Sequence, residues 1–172
     1  MCYWVTCSRF DYYKENTNMK KLIIISTAIA AIVGASAAIS EQHESAQSVR
    51  HPAKISKDDI GGKIFDRQDM IEIDHGTHTT LDVTTLLSSD KKFASGMYRS
   101  GKVRFDINEP YGVDEFMFFL EGSVTLTSTD GTAQTINAGE AVTIPKEWTG
   151  VWDTDGYTKI WVIYSEDGSG LE

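Results

Sequence analysis

Asp114-Glu115-Phe116-Met117-Phe118-Phe119-Leu120-Glu121-Gly122 is the stretch on which the fold reading turns. In an extended chain successive side chains point to opposite faces, so an inward Glu115 takes Met117 and Phe119 inward with it. Residues 115–120 therefore read as a strand, Glu121-Gly122 as a turn with the glycine supplying positive φ, and residues 123–128 as the next strand. Downstream, Asp130-Gly131 makes a hairpin turn into residues 132–136. Residues 137–140 form another turn, and residues 141–144 and 157–164 supply two further strands. Upstream, residues 103–107 alternate Val, Arg, Phe, Asp, Ile, the period-2 pattern of a half-buried strand. Residues 64–65, 70–73, 81–83 and 93–98 complete the set. No helical period extends over ten residues after Ser56, and there is no repeat and no Gly-rich phosphate loop. Short strands at this spacing imply an all-β antiparallel sandwich or barrel.

The chain has 172 residues, 41% of them hydrophobic. That is enough for a packed core and incompatible with wholesale disorder. Its net charge of −9 argues against a nucleic-acid partner, since phosphate binding needs clustered Lys and Arg. Residues 19–37 read as a signal peptide: Met19, then Lys20-Lys21, an uncharged apolar stretch, and the small residues Ala35-Ser36-Ala37 before the cleavage point. This predicts a periplasmic or secreted protein without a stable membrane anchor. Residues 1–18, which hold both cysteines (Cys2 and Cys7), read as a misassigned extension ahead of the true start. Cleavage removes the bases Arg9, Lys14, Lys20 and Lys21 but only the acids Asp11 and Glu15, so the mature chain is more acidic than the whole. It also leaves no cysteine for a disulfide, a thiolate site or a nucleophile. Residues 38–59 are polar and read as a flexible lead-in, and residues 60–170 as the folded domain.

Two stretches resemble the motifs of the cupin superfamily. Glu115 and Gly122 have the Glu-to-Gly spacing of the first motif, and Gly139 and Pro145 the Gly-to-Pro spacing of the second. The closer resemblance is to the subfamily containing the ureidoglycine aminohydrolase cupin domain. It is carried by Asp114-Glu115-Phe116, Leu120-Glu121-Gly122, Ala138-Gly139-Glu140, Ile144-Pro145, Trp148-Thr149-Gly150-Val151-Trp152-Asp153 and Lys159-Ile160-Trp161-Val162-Ile163-Tyr164. The resemblance implies a double-stranded β-helix, the cupin jelly-roll barrel. Metal-using cupins hold a divalent ion with three His and one Glu. Here the two first-motif His positions fall among Ile107, Asn108, Glu109, Pro110 and Tyr111, and the third falls on Gly150. The motif therefore supports no metal and no other cofactor, since a divalent ion would need ligands that it lacks. His75 and His78 read as solvated loop histidines, and His43 and His51 fall in the lead-in.

What remains is a pocket. Glu115 is the candidate acid or base, because a carboxylate on an otherwise apolar strand needs a partner if buried. Tyr111, Trp148, Trp152, Arg99 and Lys159 are the candidate ligand-binding residues. Trp148 and Trp152 share the parity of Gly150, Arg99 lies near the entry to the strand at 103–107, and Lys159 lies on the last long strand. Three functions follow: binding of a small polar molecule in the barrel, hydrolysis of a small nitrogenous compound with release of ammonia, or a structural and assembly role. Aromatic strand faces such as Phe116 and Phe118 fit a homodimer.

Overall fold

The computed structural model describes residues 49–171, so the expected extension at 1–18, the signal peptide at 19–37 and the start of the lead-in lie outside the described residues. A four-residue helix α1 (Lys57–Ile60) begins inside the expected lead-in. Its N-terminus is closed by a capping box in which the Ser56 hydroxyl accepts from the Asp59 amide and the Asp59 carboxylate accepts from the Ser56 amide. Residues 64–65, expected as strand, instead lie in a 3₁₀ turn (Lys63–Asp66) that buries Ile64 and Phe65. A two-residue apolar pair carries no period, so its conformation follows from what it packs against.

Eight strands follow among the described residues: β1 (Ile71–Asp74), β2 (Thr79–Leu87), β3 (Phe93–Ser100), β4 (Val103–Ile107), β5 (Asp114–Ser128), β6 (Ala133–Asn137), β7 (Ala141–Ile144) and β8 (Gly150–Tyr164). Every pairing is antiparallel. The two 15-residue strands β5 and β8 run side by side and each serves two sheets. The first half of β5 pairs with β7 and with the second half of β8, which continues through β3 and β2 to β1. The second half of β5 pairs with β6 and with the first half of β8, which is also joined by β4. The result is the jelly-roll barrel that the motifs imply.

The passage between the sheets is where the expected turn was wrong. Glu121-Gly122 does not turn the chain. It lies inside β5, where the register with β8 shifts between Phe119 and Glu121 and again between Ser123 and Thr125. Bulges of this kind bend a strand without ending its pairing. Gly122 has φ +69°, and a Cβ there would overlap the Gly156 carbonyl oxygen. The absent side chain therefore allows two backbones to touch at the fold line.

Between the sheets lies a core of Ile107, Met117, Phe119, Val124, Leu126, Ile136, Ile144, Trp152 and Tyr157. A second cluster of Ala94, Val113, Trp161, Ile163 and Leu171 fills one end of the barrel. Trp161 lies against Gly96, where any Cβ would meet its ring. The outer face of the larger sheet buries Val83 and Met97 beneath Ile64 and Phe65, with Ile55 and Met70 packed beside them.

Candidate functional site

Cross-strand register decides which side chains meet inside the barrel. Lys159 on β8 pairs with Tyr98 on β3 and with Phe119 on β5, and residues directly opposite each other share a face. Lys159 therefore points inward beside the row Glu115, Met117, Phe119. It is 5% exposed and Glu115 is 3% exposed, so both charged groups are withdrawn from water. Lys159 Nζ donates to Glu115 Oε1 at 2.8 Å and approaches Met117 Sδ at 2.9 Å. Its ammonium also sits 5.4 Å from the Trp152 ring centroid, 5.5 Å from Tyr98 and 5.8 Å from Tyr157. All three rings are within cation–π range.

The other Glu115 oxygen, Oε2, accepts from the Tyr111 hydroxyl. Tyr111 belongs to the connection between β4 and β5, which is clipped to the connection between β7 and β8. The Tyr111 amide donates to the Trp148 carbonyl at 3.0 Å and the Gly112 amide to the Lys146 carbonyl at 2.8 Å. The two rings meet edge-on at 6.4 Å. Tyr111 is half-buried, with its hydroxyl turned inward. Burial first, and then the Glu115 carboxylate and its hydrogen bond, hold the phenol well above its ordinary value near 10. Tyr157 is raised in the same direction, chiefly by burial and then by Tyr98.

Five of the six candidate residues thus converge: Glu115, Tyr111, Lys159, Trp152 and Trp148. Arg99 does not. It pairs with Thr158, one residue from Lys159, and so takes the opposite face. There its Nε donates to Thr158 Oγ1 at 3.0 Å, its Nη2 lies 3.6 Å from Glu121, and its guanidinium stacks 4.7 Å over Phe65. The assignment of Arg99 to the barrel is therefore corrected: Tyr98 lines the interior in its place, and Arg99 fastens the segment around the 3₁₀ turn to the outside of the sheet. Glu115 has the partner that its burial demands, because the Lys159 ammonium is buried with it. His75 and His78 stack at 4.6 Å in the turn between β1 and β2. Burial, and then His75, lower the His78 pKa.

Taking a carboxylate and an ammonium out of water costs several kcal/mol per ion, roughly what their attraction returns, so such a pair is poor evidence of a stability device. One further group in this core is out of balance. Trp148 Nε1 donates to Ser128 at 3.1 Å and Trp161 Nε1 to Asp82 at 3.2 Å. Trp152 is 2% exposed, and its indole N–H has no hydrogen-bond partner among the described residues. An unpaired buried donor costs about 1–3 kcal/mol. Its ring is held by Phe105, stacked at 6.0 Å, and by Tyr157 at 5.9 Å.

A cupin-type metal centre does not fit these residues. The Glu that would serve as ligand already accepts from an ammonium and a phenol, and ammonium is not a metal ligand. At Gly150 a Cβ would overlap the Thr127 carbonyl oxygen and press on the Trp148 ring, so the space of the third imidazole is filled. Among the described residues no three His, Cys, Asp or Glu side chains are grouped to hold an ion.

Residues 87–159, less than half of the chain, match the EutQ-like cupin domain family. Among solved structures, the chain is similar to the EutQ protein of Clostridium difficile, at 21% identity over 56% of this chain and 77% of that one, with a TM-score of 0.47. It is also similar to a Pseudomonas syringae protein of the DUF861 family whose function is unknown, at 16% identity over 55% of this chain and 43% of that one, with a TM-score of 0.50. The likeness bears on fold alone. No curated protein matches the chain.

Proposed function

We propose that this cupin-domain protein binds a small polar molecule inside its barrel. One observation carries the reading: the buried chain from Tyr111 through Glu115 to Lys159, enclosed by the Tyr98, Trp152 and Tyr157 rings. Ionisable groups kept in a core at no clear gain in stability, beside aromatic walls, are what a binding site retains. The test is thermal denaturation of the full chain against a panel of small amines, amides, carboxylates and polyols. At least one compound raises Tm saturably in the wild type, and none does so in the double variant Glu115→Leu/Lys159→Met. A panel without effect, or equal shifts in the double variant, would sink the reading.

Hydrolysis of the ureidoglycine aminohydrolase type is the second reading. It is favoured by the continuous hydrogen-bonded path from phenol to carboxylate to ammonium, along which a proton can move. Ammonia release from a bound amide in the same panel distinguishes it from binding alone. Export directed by residues 19–37 belongs to the proposal, and N-terminal sequencing of exported material should begin at Ala38. A homodimer would use the outer sheet face, where Phe93, Phe116 and Tyr164 are exposed.

A further inference from the structure

Taking barrel binding as the premise, we infer that the ligand is a small neutral molecule bearing an oxygen acceptor, such as an amide, ketone or alcohol, which receives the Trp152 indole N–H. Two sets of groups in the barrel carry it, the charged side chains and the indole N–H donors. The charged groups that face the interior are already partnered: Glu115 has one oxygen on Lys159 and the other on Tyr111, the Lys159 ammonium faces a carboxylate, a thioether and three aromatic rings, and Asp82, which shares this face through its pairing with Tyr98, accepts from the Trp161 indole. A ligand carboxylate would have to draw Lys159 away from Glu115 and leave a second buried anion with only the Tyr111 hydroxyl. A ligand ammonium would compete with Lys159 for the same three rings at like charge. Neither exchange is favourable where water cannot screen it.

A neutral acceptor disturbs none of these contacts. The indole N–H groups of Trp148 and Trp161 already have acceptors, whereas that of Trp152, 2% exposed, has none among the described residues. A donor without an acceptor specifies an acceptor in whatever completes it. The surrounding surfaces agree, since Phe105, Phe119, Trp152 and Tyr157 present flat apolar rings that favour a compact group without charge.

The test uses the full chain labelled with ¹⁵N at its four tryptophans and follows the indole N–H resonances. The Trp152 signal is identified by its loss in Trp152→Phe, a variant checked for folding by circular dichroism. Acetamide, acetate and methylammonium are titrated separately. Acetamide is expected to move the Trp152 resonance downfield and saturably, with acetate and methylammonium leaving it in place. Acetate or methylammonium acting as strongly as acetamide overturns the neutral-acceptor class and leaves barrel binding standing. Silence from all three probes, with no thermal response to the wider panel, overturns both.

Discussion

Removing one partner of the Glu115–Lys159 pair leaves the other charged in a place it cannot leave. In Glu115→Leu, the ammonium of Lys159 keeps only Met117 Sδ and three aromatic faces, at 5% residue exposure. Breaking a buried pair in this way costs about 3–5 kcal/mol. For a domain the size of residues 49–171, about 4 °C of Tm accompanies each kcal/mol, so Glu115→Leu should melt about 12–20 °C below wild type. Lys159→Met should fall by a similar amount, because it strands the carboxylate with the Tyr111 hydroxyl alone. The double variant behaves differently. It replaces both ions by apolar groups of similar volume and should return to within about 1 kcal/mol of wild type, or exceed it. The assay is a double-mutant cycle by thermal and urea denaturation of the full chain. Single variants that lose less than about 1 kcal/mol would show that the pair is open to solvent, since exposed pairs are worth no more than that. A double variant as unstable as the singles would show that the pair stabilises the fold, and the argument for a functional role would fail.

Two other outcomes are expected. Gly122→Ala should severely destabilise the domain, because a φ of +69° and the Gly156 carbonyl both exclude a Cβ, while Gly139→Ala, with φ +88° but nothing within 4 Å, should cost far less. Denaturant midpoints compare the two, and equal losses would refute the steric account. Tyr111 and Tyr157 are raised in the folded state, so their contribution is complete below the ordinary phenol value near 10 and is lost as pH climbs toward their folded values. Stability should therefore fall above about pH 10, and phenolate absorbance should show a lagging component that Tyr111→Phe and Tyr157→Phe each reduce. Seven tyrosines ionising together as exposed phenols would contradict this.

Much of the strand layout was legible in the chain because it depends on local period and turn chemistry. The alternation in 103–107, the Asp130-Gly131 hairpin and the turn at 137–140 all appear where the residues put them. Glu121-Gly122 misled because glycine marks a turn and a bulge alike, and only the neighbouring Gly156 backbone distinguishes the two. Arg99 misled for a related reason. Nearness to a strand entry says nothing of which face a side chain takes, whereas the pairing of β3 with β8 places Tyr98 beside Lys159 and Arg99 beside Thr158. The unpaired Trp152 N–H left no trace in the sequence, because it is a property of what its neighbours fail to supply.

By itself the sequence determined an all-β antiparallel fold, which its resemblance to the cupin motifs narrowed to a jelly roll, and the shared inward face of Glu115, Met117 and Phe119, since alternation along one strand is set by backbone geometry alone. The tertiary structure decided which cation joins Glu115. Lys159 lies 44 residues further along the chain, and the two meet only through the register of β5 against β8. That register depends on bulges and on a close approach of two glycines, contacts between distant segments that no local pattern encodes.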